Sequence, residues 1–352
     1  MPTLSGARAS VSAFQPTYMP TAVFAGGTSG VGQAMAEALA RQLNGRVHII
    51  LLGRSQASAE RIFANIPTTE GALRAFVAVD VQSMKSVRSA CDEISGKLGV
   101  QEVNFLVMSA AGPRGNSITE SGVTVEGCGY FSRFLYTRTL LPLLETAARN
   151  GHNAHVMTIL GAGMGYVFPK DDLMLDEARK RSWGFLRGLT VNVAAMKGIM
   201  RGVSYSDGLI AYFAATNPGI AFTHISPGQV WTKGSRYTSM GLLLTPLALL
   251  FNGLRWMGIM ATPQDDAAQY MLNALLDPAT TNGGVFIRDS HGGSIGSRVF
   301  DSKWTFGDHN EKLDERVGYL DGVKIPGYVG SDAAVRRLSR WTENVLAGIL
   351  DA

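Results

Sequence analysis

The chain has 352 residues, of which 46 % are hydrophobic and 17 % charged, enough for one large domain or two small ones with a sizeable core. The formal net charge is +4, with no run of Lys or Arg, which argues against nucleic acid as a partner. The two cysteines, Cys91 and Cys128, show neither metal spacing nor a disulfide framework, so a reducing, cytoplasmic setting is expected.

Residues 1–20 are rich in Ser, Thr, Pro and Ala, lack the apolar segment of a secretory leader, and are expected to form a loose arm. The stretch from Thr21 to Ala40, TAVFAGGTSGVGQAMAEALA, organises the rest of the chain. It reads as strand, glycine turn and helix. Gly26 permits a sharp turn, Gly30 lets backbone approach a pyrophosphate, and Gly32 lets the helix pack closely on the strand. The free N–H groups at the helix start then face phosphate.

Further strands are expected at Val47 to Leu52, Phe76 to Val81, Val103 to Met108, His155 to Leu160, Ile220 to Ile225 and Gly284 to Ile287. Tyr130 to Leu144 and Pro263 to Leu275 read as helices, and a last helix begins at Ser331-Asp332 and ends near Leu350. Strands alternating with helices imply an α/β fold with a doubly wound parallel sheet. With no internal repeat or linker, the reading is one domain over residues 21–288, with a C-terminal extension at 289–352 packed on it. Within the domain, residues 170–203 form a long insert. Residues 242–260 are apolar but carry Pro246, Asn252, Gly253 and Arg255, which favours a lid or a surface-contacting helix over a membrane span.

The order of these motifs resembles the short-chain dehydrogenase/reductase family from about Thr21 to Leu275. Gly26, Gly30 and Gly32, with Thr28, Ser29 and Val31 between them, match the family's cofactor turn. Asp80-Val81 matches the pair that contacts adenine. Ala110-Ala111-Gly112 resembles the Asn-Asn-Ala-Gly turn without its asparagines, and Pro227-Gly228-x-Val230-x-Thr232 matches the turn at the nicotinamide carboxamide. The resemblance implies a Rossmann-like fold, a nicotinamide cofactor and, because fold-mates form dimers and tetramers, a homo-oligomer.

Charge argues for the form of that cofactor. An acid after the second strand would hold a ribose and repel a 2′-phosphate, but Gly53 stands there with Arg54 next to it, so NADP(H) is expected over NAD(H). Ser29 and Ser55 are further hydroxyl donors.

The family's catalytic groups are absent from their places. Gly161 stands where the serine belongs and Gly129 where the asparagine belongs. The tyrosine position falls near Lys197 or Ile199. Tyr205 and Lys197 are the remaining candidates for proton donor and ribose-holding cation. Tyr166 and Lys170 match tyrosine-x-x-x-lysine as text, but Pro169 argues against a helix there. Thr158 reads as structural, His224 as a satisfied core histidine rather than a base, Asp265-Asp266 as solvated or capping acids, and His291 lacks partners for a metal.

Two functional readings result. The first is an NADP-dependent oxidoreductase of atypical active site acting on a bulky apolar carbonyl or alcohol of secondary metabolism. The alternative is a fold-mate that has lost redox chemistry and promotes a cyclisation or isomerisation. A nucleotide-sensing scaffold without turnover is a third, weaker reading.

Overall fold

The computed structural model describes residues 1–110, 119, 125–164, 187–231, 261–300, 321–322 and 332–351. The expected strands form a single sheet. β1 (Thr21–Ala25), β2 (His48–Gly53), β3 (Arg74–Ala78), β4 (Phe105–Met108), β5 (His155–Ile159), β6 (Ala221–Ile225) and β9 (Gly284–Arg288) are parallel. β10 (Ser294–Arg298) and β11 (Asp321–Gly322) add antiparallel strands at one edge. β7 (Val230–Trp231) and β8 (Thr262–Pro263) pair separately. The sheet order is β11-β10-β9-β6-β5-β4-β1-β2-β3. Every residue of β1, β5, β6 and β9 is buried, as expected of parallel strands covered on both faces.

The two faces carry separate cores. On one, Ala22, Phe24, Ile49, Leu51, Phe105 and Val107 pack against α1 (Leu4–Ala13), α2 (Gly30–Gln42), α3 (Gln56–Ala64) and α7 (Gln264–Leu275). On the other, Val23, Ala25, Leu106, Met108, Val156 and Phe222 pack against α4 (Met84–Asp92), α5 (Val125–Arg149), α6 (Arg187–Thr216) and α8 (Asp332–Leu350). β1 lies between β2 and β4, so the chain leaves it in opposite directions across the sheet. That reversal opens a crevice at the carboxyl ends of β1 and β4.

Several expectations change. The N-terminal residues are not a loose arm throughout. Thr3 accepts from the Gly6 N–H at 3.1 Å to cap α1, whose Ala7 and Val11 are buried, and Arg8 pairs with Asp266 of α7 at 2.8 Å. β3 starts and ends earlier than its apolar run, because Asp80 turns the chain by accepting from the Gln82 N–H at 3.0 Å. Beyond Asp289 the weak periodicity conceals β10. Asp289 Oδ1 accepts from the N–H groups of His291 and Gly293, both at 2.8 Å, closing the hairpin from β9. α6 begins at Arg187, so the second part of the expected insert is helix. Residues 170–186 and 242–260 lie outside the described residues. No helix of the described residues is long and apolar enough to cross a membrane.

Candidate functional site

The crevice at the switch between β1 and β4 contains a cavity of about 260 Å³. Its lining draws on the turn after β1 (Gly26, Thr28, Ser29, Gly30, Val31), the last residue of β2 and the one after it (Gly53, Arg54) and the segment after β3 (Asp80, Val81), with Ala110 after β4. These residues are scattered over some eighty positions of sequence and meet in one place.

The local geometry depends on missing side chains. Gly26 has φ +89°, and a Cβ there would meet the Ala110 backbone nitrogen at 2.6 Å. A Cβ on Gly32 would lie 2.4 Å from Ser109 Oγ and 2.6 Å from the Gly26 carbonyl. Ser109 donates to that carbonyl at 3.3 Å and so ties the end of β4 to the glycine turn. Ser29 is the N-cap residue of α2 but makes no capping bond from its side chain, which leaves the hydroxyl beside the first N–H groups of the helix.

At the β2 end, a Cβ on Gly53 would meet Thr28 Oγ1 at 2.5 Å and Thr28 Cγ2 at 2.9 Å. A longer side chain has no room there, whereas Arg54 is exposed at the cavity rim. Ser55, expected as a hydroxyl donor, caps α3 by accepting from the Ser58 N–H at 3.2 Å. Leu52, Val79, Gln82 and Ser109 also line the cavity, and their only sequence signal is adjacency to the motif residues. Cys128, at the start of α5, lies 3.9 Å from the Gln82 carbonyl. Burial, with the Asp80 charge adding, pushes its thiol up to about 11.

Pro227, Gly228 and Val230 come after β6. Gly228 has φ +65°, and a Cβ there would meet Ser290 Cβ at 2.8 Å. Ala111, Gly112 and Thr232 lie outside the described residues, as do Tyr166 and Lys170. Lys197 lies within α6, in the part whose side chains are not described. Tyr205 is 2 % exposed and packs edge-on against Tyr130 at 5.3 Å and against Trp341 at 6.2 Å. Those contacts set its ring against α5 and α8, and it is not among the residues lining the cavity.

Where the family carries its serine, a Cβ on Gly161 would meet Val203 Cγ2 at 3.2 Å and Met164 Sδ at 3.5 Å. Where it carries its asparagine, the Gly129 carbonyl accepts from Arg133 Nη1 at 2.6 Å. Arg133 is 2 % exposed, its Nη2 donates to the Ile159 carbonyl at 3.1 Å, and burial lowers its pKa to about 10. Nothing in the sequence pattern marks Arg133. No group of three or more potential metal ligands occurs among the described residues.

A family model described as short chain dehydrogenase matches residues 20–163. The chain is 28 % identical over 243 residues to Oxidoreductase AN1596 of Emericella nidulans, covering 67 % of this chain and 65 % of that one. It is 28 % identical over 241 residues to Oxidoreductase andH of Emericella variicolor, covering 66 % and 64 %. The match thus spans slightly less than two thirds of each of these relatives. Human polyprenol dehydrogenase is 30 % identical over 154 residues, covering 42 % of this chain and 44 % of that protein. In fold, the chain is similar to L-sorbose reductase from Gluconobacter frateurii complexed with NADPH and L-sorbose, with TM-score 0.51 and 18 % identity, covering 78 % and 96 %. It is also similar to NADPH-bound carbonyl reductase from chicken fatty liver, with TM-score 0.51 and 14 % identity, covering 79 % and 98 %.

Proposed function

This chain belongs to the short-chain dehydrogenase/reductase family, and from that premise we propose that it is an NADP(H)-dependent oxidoreductase. The observation that carries the cofactor choice is the pairing of a closed position with an open one. Thr28 leaves no room for an acid at Gly53, and Arg54 stands at the rim of the same cavity. A guanidinium there can take a 2′-phosphate in bidentate fashion. In this reading Gly26, Thr28, Ser29, Gly30 and Val31 hold the pyrophosphate, with Gly32 keeping the turn closed. Asp80 and Val81 flank the adenine. Ala110, Ala111 and Gly112 lie against the ribose, and Pro227, Gly228, Val230 and Thr232 border the nicotinamide. When bound, the nicotinamide supplies or accepts a hydride.

The proposed substrate is a bulky apolar carbonyl or alcohol of secondary metabolism. The apolar composition of residues 242–260 supports this, as does similarity to an enzyme named for a polyprenol. Gly161 and Gly129 offer no side chain to such a substrate, so at these two positions the chain contributes only to orienting the reactants.

The test is binding and then turnover. NADPH is expected to bind at least about tenfold more tightly than NADH. It should then be consumed in the presence of some member of a panel of bulky ketones. Failure to bind NADPH in large excess overturns the reading. The apolar surroundings of Gly161 favour a second reading, a non-redox cyclase or isomerase. Binding of NADPH without consumption, alongside rearrangement of a substrate, would select it.

A further inference from the structure

Met108, Thr158, His224 and Ile287 are register partners across β4, β5, β6 and β9, and Ala25 of β1 completes the row. Ala25 and Met108 are the last residues of their strands, and Gly26, next after Ala25, lines the cofactor cavity. Thr158, His224 and Ile287 are each one residue short of the end of their strands, so the row runs from the edge of the crevice just beneath the carboxyl end of the sheet, on the face covered by α5 and α6. Its two central positions are polar and fully buried.

Both are also incompletely bonded. His224 Nδ1 meets Asp207 Oδ1 of α6 at 2.5 Å, while His224 Nε2, Asp207 Oδ2 and Thr158 Oγ1 have no partner among the described residues. Arg133 reaches the adjoining end of β5 from α5, and its Nε is unpartnered too. Four of the buried polar atoms without partners among the described residues thus belong to residues of this one region. Each orphan costs about 1–3 kcal/mol if left dry, so together they call for bound water. An aspartate on one imidazole nitrogen also fixes the tautomer, with a proton on Nδ1 and Nε2 turned to the unpartnered side. Asp207 itself is raised above the usual carboxylate range by burial, against the opposing pull of His224.

We propose that Asp207 and His224 form the proton store of the active site, connected to it by buried water held between His224 Nε2 and Thr158 Oγ1. The proposal rests on the oxidoreductase reading for its substrate and deepens it by supplying the proton donor that Gly161, Gly129 and the core position of Tyr205 leave unassigned. Reduction of a carbonyl adds a hydride from the nicotinamide to carbon and a proton to oxygen. The water gives up that proton and is reprotonated from His224 Nε2. His224 is left as neutral imidazole with its remaining proton on Nδ1, donated to Asp207, and it regains a proton from solvent. Oxidation runs the same transfers backward. Among the described residues, the charged groups on the elements packed over this face near His224 are Asp207 on α6 and Arg133 on α5, and its row neighbours Thr158 and Ile287 carry no charge.

The full-length protein provides the test. A crystal structure that places solvent is expected to show a water within hydrogen-bonding distance of both His224 Nε2 and Thr158 Oγ1. In hydrogen exchange, the Nε2 proton should exchange far faster than the β6 amides. Apolar atoms packed dry against Nε2, or an imidazole as protected as those amides, overturn the proposal, and neither readout needs a substrate or NADPH. In NADPH consumption with bulky ketones, His224→Gln and Thr158→Val should each lower kcat about 100-fold. KM for NADPH should stay within about twofold, and His224→Gln should also flatten the pH profile of kcat. Thr158→Val nearly preserves volume and serves as the variant if His224→Gln does not fold. Unchanged kcat in a folded variant overturns the relay. A parent protein that binds no NADPH overturns the oxidoreductase reading, while the water and exchange results still decide whether the store is connected to solvent.

Discussion

The Tyr130 hydroxyl donates to Thr342 Oγ1 at 2.7 Å, and Thr342 donates onward to the Leu338 carbonyl at 2.8 Å. The second bond fixes the direction of the first, because the threonine has a single proton to give. This chain of bonds joins α5 to α8 across 212 positions of sequence. Around it Phe131 packs on Trp341 at 5.4 Å, and Arg138 pairs with Glu343. Burial raises the Tyr130 pKa, so the phenol stays a donor. Thr342→Val is expected to strand that hydroxyl and to cost about 1–3 kcal/mol in denaturant unfolding. The double variant with Tyr130→Phe should recover part of the loss, since both partners are then apolar. An unchanged midpoint in Thr342→Val would show that the bond contributes nothing.

The glycine turn gives a second expectation. Gly32→Ala places a methyl group 2.4 Å from Ser109 Oγ and 2.6 Å from the Gly26 carbonyl, and the backbone cannot yield without opening the turn. NADPH affinity should fall at least about tenfold, with a lower melting temperature. Isothermal titration and a thermal scan measure the two effects. Wild-type affinity would mean that α2 shifts to accept the methyl group.

Arg54 can be tested apart from stability, because it is exposed. Arg54→Ala is expected to weaken NADPH binding by about 1.5–3 kcal/mol, the range for a hydrogen bond to a charged group. NADH binding should change little, and the melting temperature should hold within about a degree. Equal losses for the two nucleotides would detach Arg54 from the 2′-phosphate.

His155 gives a pH dependence with a definite sign. It is fully buried, with Nδ1 2.8 Å from the Leu275 carbonyl and Nε2 2.7 Å from Thr223 Oγ1. The neutral ring satisfies both, with Nδ1–H donating and Nε2 accepting. Burial depresses its pKa from 6.5 to about 4. The unfolded chain then takes up the proton first as pH falls, so the stability is present above about pH 6.5 and lost as pH drops toward 4. At about 1.4 kcal/mol per pH unit, the loss is on the order of 3 kcal/mol. Urea unfolding at several pH values should show it, and His155→Gln should remove that part of the slope. A slope identical in parent and variant would assign the acid sensitivity to other groups.

Much of the architecture is legible without coordinates, because it arises from local chemistry. The β-branched runs of β2 and β6, the spacing of Gly26, Gly30 and Gly32, and the alternation of strand with helix each depend on residues a few positions apart. Composition is a poorer guide where order comes from packing or from side-chain bonds to backbone. α1 is held by its cap, two buried side chains and contact with α7, and β10 by a hairpin that Asp289 closes, and neither has a strong period of its own.

The site divides the same way. Gly26 and Arg54 declare themselves in sequence because backbone permissiveness and charge belong to single residues. That Thr28 closes the position at Gly53 is a relation between a loop and a strand end. Arg133, Asp207 and His224 are separated by 74 and 17 positions, and no periodicity connects them. Only the parallel register of β5 and β6, with α5 and α6 laid across one face, brings these polar groups to the same part of the sheet. Local propensity is written along the chain, whereas burial and the company a buried charge keeps come into being when distant segments close on one another.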